Sequence, residues 1–202
     1  MTNHTSSDTT GPIATVHPAL RECAAEAARV AGGVPGDRLR DPTPSADWDV
    51  RALANHLVLY TSHGLEHRAR RTELPEELTA RDFTADADWA DRYRAALDRA
   101  VGAWSDPAVW DGEIGGSPAA TVATLMALEM ALHGWELARA TGQEFRLSDD
   151  TAVFVLGVVE EYAGMYRTYE GFAEPVAVPA KAGVFDRALA ASGRDPRWTF
   201  RG

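Results

Sequence analysis

Glu129 and His133 lie four residues apart in Ala127-Leu128-Glu129-Met130-Ala131-Leu132-His133-Gly134-Trp135-Glu136-Leu137. On a helix their side chains share one face, about one turn apart. Leu125, Met126, Leu128, Met130, Leu132 and Leu137 surround them. A carboxylate and an imidazole in so apolar a helix are costly to bury unless something pairs with them. A divalent metal ion would do so, since neutral imidazole and carboxylate are both usual ligands for zinc and its neighbours. The spacing fits equally an ion-free pair, with Glu129 hydrogen-bonded to His133 or to a distant arginine. A third ligand must come from another element, and His56 in Asn55-His56-Leu57 is the candidate. Two histidines and one glutamate, with one position left for water, is the pattern of a catalytic zinc site rather than a closed structural one.

Other polar groups belong to the same neighbourhood. His56, Tyr60, His63 and His67 recur at steps of four, three and four, one stripe on a helix. Tyr60 and His63 follow His56 on that stripe, and Met126 precedes Glu129 by three residues. All three are candidates for the rim of a substrate pocket above the metal. His63 and His67 fit a half-solvated stripe as well. Glu136, one turn beyond His133, is either an acceptor for the ring N–H of His133 or half of an exposed salt bridge.

The elements that must position these groups are helical. An Ala-rich run from Val16 to Ala31, with Leu20, Cys23, Ala27 and Val30 inward, ends at Gly32-Gly33. Val34 to Trp48 is a loop punctuated by Pro35, Gly36, Pro42 and Pro44. Asp49 reads as the N-cap of a second helix running to about Arg71. A third spans about Ala87 to Trp104, capped by Asp86, with Trp89, Tyr93, Leu97 and Val101 inward. Asp111 to Gly116 is a turn-rich link. Ser117-Pro118 then reads as N-cap and first residue of a fourth helix, which Gly142 ends. A fifth covers about Asp149 to Tyr169 and offers Val153, Leu156, Val159, Tyr162, Met165, Tyr166 and Tyr169 to the core. From Gly171 the chain is extended and Pro-rich, with a short helix from Val184 to Ala191.

The expectation is an all-α, up-and-down four-helix bundle over residues 14–170, with an extra helix, and a C-terminal strap over 171–202 packed on it. Residues 1–13 are expected to be a disordered tail. Whether the first or the third helix joins the bundle is left open.

Composition narrows the function classes. The chain has 202 residues, 45% hydrophobic and 25% charged, with net charge −10 and a pI near 5.0. This acidity speaks against nucleic acid or an anionic membrane as main partner, although Arg68, Arg70 and Arg71 form a local basic patch. The single cysteine, Cys23, excludes an internal disulfide and a Cys-based zinc site, and it reads as a small core residue. The Thr/Ser-rich start has no apolar h-region, and no run approaches the ~20 apolar residues of a membrane span. A cytoplasmic protein is expected.

Thr43 to Leu57, TPSADWDVRALANHL, resembles the TPxxxWxVxxLxxHL opening of the mycothiol-dependent maleylpyruvate isomerase metal-binding domain, a family of the DinB/YfiT-like helical bundles. EMALHGWELARAT, from Glu129 to Thr141, resembles its second signature. Pro175 to Trp198 resembles the tail of an actinobacterial branch of the superfamily. The resemblance implies that His56, Glu129 and His133 hold a divalent metal: zinc first, with nickel, iron or manganese as alternatives. It also implies use of mycothiol as thiol cosubstrate. Trp48 is expected to act as a packing wedge at the start of the second helix.

The family's isomerase has a second domain that contributes to its active site. Only about thirty residues follow the fifth helix here, fewer than a domain of ordinary size. The expectation is therefore a metal-dependent, thiol-using transferase or isomerase rather than maleylpyruvate isomerisation itself. The alternatives are a non-catalytic metal-binding or regulatory module and a structural bundle that has lost its metal. The expected partners are a small-molecule substrate or a low-molecular-weight thiol, with a homodimer left open. The strap carries Val176, Val178, Val184, Phe185 and Leu189 as apolar anchors. Truncation at Gly171 should lower the melting temperature and solubility; unchanged melting and solubility would mark the segment as a free tail.

Overall fold

The computed structural model describes residues 11–200. The expected tail of residues 1–13 lies outside the described residues up to position 10, and at Pro12 the chain is already helical. Helix α1, Pro12–Gly32, buries Leu20, Cys23, Ala27 and Val30 as their spacing predicts. After it, a loop is locked by Thr43. The Thr43 hydroxyl lies 2.9 Å from the Trp48 carbonyl and accepts the Ser45 N–H at 3.1 Å. Asp49 caps α2, Val50–Leu57, by accepting the Ala52 N–H at 2.8 Å.

From there the chain departs from a regular helix. Val58–His63 is π-helical, and only at α3, Gly64–Ala69, does the α-helix resume. The buried hydroxyls of Thr61 and Ser62 each donate, at 2.6 Å, to the carbonyl four residues back. Those carbonyls are the ones an α-helical ladder would use, so the side chains compete with the amides and the turn widens. Thr61 is fixed further by the buried Tyr93 hydroxyl at 2.7 Å.

Helix α4, Trp89–Ala103, buries Trp89, Tyr93, Leu97 and Val101, as predicted. Its expected cap, Asp86, instead pairs with Arg81 at 3.4 Å and Arg92 at 2.8 Å, and the helix starts after Asp88. The expected Ser117-Pro118 helix start is also overturned. These two residues pair with Glu113–Ile114 as a small antiparallel hairpin. Gly115 and Gly116 turn it with φ of +62° and +82°, the double positive φ that a tight two-residue hairpin turn needs. Helix α5, Ala119–Ala140, follows directly and ends before Gly142 at φ +71°.

Ser148 caps α6, Asp149–Thr168, and Glu22 of α1 accepts the Ser148 hydroxyl at 2.7 Å. The inward face of α6 is Ala152, Val155, Val159 and Ala163. Val153, Met165 and Tyr169, expected to be available to the core, are exposed: Val153 and Met165 lie off that i, i+3, i+4 row, and Tyr169 lies past the helix end as its C-cap. The chain then turns back to α7, Val184–Ala191, which packs on α6 and buries Ala188 and Leu189. The Arg167 guanidinium donates to the Ala191 carbonyl at 2.6 Å.

Helix α1 packs on α4 and α5, and the α2–α3 rod packs on the same two helices, closing an all-α four-helix bundle. The extra helix is therefore α6, lying on α5 and α1, rather than α1 or α4. Among the described residues no helix is long and apolar enough to cross a membrane.

One glycine sets how closely α1 and α5 approach. A Cβ on Gly134 would stand 2.6 Å from the Phe145 ring and 3.5 Å from the Ala27 methyl. Gly134→Ala should therefore destabilise by ~1–3 kcal/mol through overpacking. Gly157, exposed on α6, has nothing within 4 Å of such a Cβ. Gly157→Ala should stabilise by ~0.5–1 kcal/mol, the ordinary helix gain. Chemical denaturation of both variants checks the contrast.

Candidate metal centre

His56 comes from the last full turn of α2 and faces α5, where Glu129 and His133 sit one turn apart. Its Nε2 lies 3.1 Å from Glu129 Oε2, and His133 Nε2 lies 3.4 Å from the same oxygen. The two imidazole centroids are 4.8 Å apart. One donor atom from each of the three residues can be chosen so that all lie within 4.8 Å of one another. The side chains are partly buried, 21% exposed for His56 and Glu129 and 13% for His133. They open into a cavity of about 560 Å³. Two imidazole nitrogens and a carboxylate oxygen facing one point, beside open space, fit a divalent cation.

Behind the trio runs a second layer. His133 Nδ1 lies 2.6 Å from Glu136 Oε2, and the other Glu136 oxygen accepts from Arg194 Nε at 2.8 Å. Arg194 also donates to the Ser192 hydroxyl at 3.2 Å. Glu136 is only 1% exposed, so it is not an exposed salt bridge. As a carboxylate it can only accept, which makes Nδ1 the protonated nitrogen and turns Nε2 toward Glu129 and His56. A carboxylate on the far ring nitrogen is also how a histidine is commonly oriented where it ligates a metal.

Electrostatics follow from this nesting. Burial alone would push Glu129 upward, but His133 and His56 outweigh it and hold the carboxyl well below its usual range. Burial would lower His133, but Glu136 and Glu129 raise it to about 9. Burial opposes ionisation of Glu136 as well, and Arg194, His133 and the Ser45 hydrogen bond bring it to about 2. The two carboxylates therefore favour positive charge on His133. A proton and a metal cation would compete for the same Nε2 lone pair.

The walls come from opposite ends of the chain. Trp48 packs at 4.7 Å from the His56 ring and 5.4 Å from the His133 ring, and it lines the cavity, so it does more than wedge the helix start. Across the cavity lie Tyr166, Phe172 and Arg194. Tyr166 and Phe172 stack at 4.5 Å. Burial and the nearby Glu129 carboxylate push the Tyr166 phenol up to about 12, so it stays a neutral donor. Arg194 reaches its place because Gly193, at φ +86°, lets the chain pass Ala173 where a Cβ would stand 2.7 Å from the Ala173 carbonyl oxygen. Sequence reasoning missed Tyr166, Phe172, Ser192 and Arg194 as site residues. The one local signal was a carboxylate, Glu136, at i+3 from His133 in an apolar helix.

The expected rim residues separate. Tyr60 packs on His56 at 4.9 Å, but with Met126 it lines a neighbouring cavity rather than that of the trio. His63 is elsewhere, stacked on Phe83 at 5.4 Å in a third cavity beside α4. The π-helical segment explains this. Each widened turn adds a residue, so positions after it rotate away from the stripe that a regular helix would carry.

A family model described as "Mycothiol maleylpyruvate isomerase N-terminal domain" matches residues 20–138. No curated protein and no solved structure matches the chain. The matched span contains the trio, Trp48 and Glu136 but stops short of Arg194.

The buried Glu136–Arg194 pair gives a direct test. Glu136→Leu and Arg194→Met each strand a buried charge, and each should cost ~3–5 kcal/mol. The double variant removes both charges and should cost less than the sum, with a coupling of ~1–3 kcal/mol. Denaturation of the four proteins closes the cycle; strict additivity would contradict the direct pairing.

Proposed function

We propose that this chain, which belongs to the mycothiol maleylpyruvate isomerase N-terminal domain family, binds one divalent cation through His56, Glu129 and His133 and uses it on a low-molecular-weight thiol. The observation that carries this reading is the convergence of the three donor atoms within 4.8 Å at the edge of a solvent-reached cavity. Zinc suits a two-imidazole, one-carboxylate set, and nickel, iron and manganese accept the same donors. Bound there, the ion would supply the positive charge that keeps a thiol in its thiolate form, the reactive one.

The protein's own groups would do the rest. Glu136 holds His133 by Nδ1, so that Nε2 keeps its aim. Trp48, Tyr166 and Phe172 give the cavity apolar walls that limit water around the reacting sulfur. Tyr166, which lines the cavity and stays neutral, would donate from its phenol to an electrophile bound there. Cys23 is buried inside α1, with its thiol pKa pushed up by burial, so the reacting sulfur would arrive with a cosubstrate such as mycothiol. The reaction class is a thiol-dependent transfer or isomerisation.

A second reading has its own support. The trio joins α2 to α5, so an ion could serve mainly as a cross-link in a non-catalytic or regulatory module.

His133→Ala separates the two. On the first reading it loses metal by elemental analysis and loses metal-dependent thiol binding by calorimetry, while circular dichroism stays helical, because the core is large and does not derive its folding from an ion. Loss of helices together with metal would favour the cross-link. Retention of metal and thiol binding would overturn the assignment of the trio.

A further inference from the structure

The cavity that received Tyr60 and Met126 has no role in the metal reading. It lies between α3, the small hairpin and the first half of α5, and measures about 600 Å³. Its walls are largely apolar, with Leu74, Ile114, Val122, Leu125 and Met126 all partly buried. Into this surface projects Arg68. Its guanidinium folds back over Gly64, where a Cβ would stand 2.5 Å from Nη1. Only a residue without a side chain leaves that place free.

The other basic groups of the lining are engaged. Arg71 donates to the carbonyls of Val109, Asp111 and Glu113. His67 Nδ1 lies 2.8 Å from the Thr72 hydroxyl. Among the described residues, Arg68 is the cation of this cavity whose side chain makes no hydrogen bond or ion pair. Burial lowers its pKa, and Glu129 and Tyr60 offset that only in part. A guanidinium turned into a largely apolar cavity, with no carboxylate in contact, is free to take one as half of an ion pair. Glu73 and Glu113 belong to the same lining and are exposed, so the opening is acidic and disfavours a multiply charged anion.

We propose that this cavity is a subsite for a small organic monoanion with an apolar body, its carboxylate paired with Arg68 and its body against Leu74, Ile114, Val122 and Leu125. The subsite is distinct from the metal trio. The two adjoin through Tyr60, whose ring packs on His56 and whose exposed side lines this cavity. Binding therefore requires neither the ion nor His133.

The test is calorimetric titration of the full-length protein with 4-phenylbutyrate, its neutral counterpart 4-phenylbutanol, and inorganic phosphate. The acid should bind at least about tenfold more tightly than the alcohol, and Arg68→Met should lose at least about tenfold of the acid's affinity while leaving the alcohol's unchanged. Gly64→Ala, which keeps the charge but displaces it, should also weaken the acid. His133→Ala should bind the acid as the parent protein does. Equal binding of acid and alcohol would overturn the proposal, and that comparison needs no variant to fold. Unchanged acid binding by Arg68→Met would overturn it too. So would displacement of the acid by phosphate, which would mark a patch that reads charge alone. Loss of acid binding in His133→Ala would move the acid to the metal trio.

Discussion

Two carboxylates, Glu129 and Glu136, sit in a helix whose fully buried residues are otherwise Ala, Gly, Leu, Met and Trp, and an unpaired buried charge there would cost several kcal/mol. Every group around them can be understood as compensation. Glu129 has an imidazole on either side of one oxygen, one from its own helix and one from α2. Glu136 has His133 on one oxygen and Arg194 on the other. His133 belongs to both sets and couples them. The same arrangement that satisfies the carboxylates leaves two imidazole nitrogens and a carboxylate oxygen aimed at one point, which is the donor set of a divalent metal site.

The rest of the fold serves that arrangement. The α2–α3 rod and α1 both pack on α5, so most of its apolar residues are buried while the trio keeps an opening. Thr43 and Asp49 fix the loop and cap that present Trp48 and start α2. The segment after α6 carries Phe172 and Arg194 back to the site, held by the Tyr166 stack, the Arg167 bond to Ala191 and the close passage of Gly193 past Ala173. The site is thus made from both the bundle and the C-terminal segment, although the family match ends at residue 138.

Much of this was legible in the amino-acid sequence, because periodicity and caps are local. Leu20, Cys23, Ala27 and Val30 announced the buried face of α1, and Asp49 announced the start of α2. The i, i+4 spacing of Glu129 and His133 put them on one face, and the structure brings His56 to them. What failed depended on competition or on distance. Ser117-Pro118 has the form of a helix start, but the Gly115-Gly116 pair before it makes a hairpin at little steric cost, and the ladder took both residues. The His56–His67 stripe presumes 3.6 residues per turn, and the hydroxyls of Thr61 and Ser62 break that count, sending His63 to another cavity. Nothing near Glu136 in the chain could identify Arg194, since their pairing spans 58 residues and depends on how the segment after α6, with α7, folds back on the bundle.

His56, Glu129 and His133 are proposed to bind one metal ion together. X-ray absorption spectroscopy of untagged protein, purified without added chelator, tests it most directly. The account predicts about one divalent ion per chain, with a first shell of N and O donors near ~2.0–2.2 Å and the outer-shell scattering of two imidazoles. A protein that neither carries nor takes up a divalent ion, or whose ion shows no imidazole scattering, would contradict it.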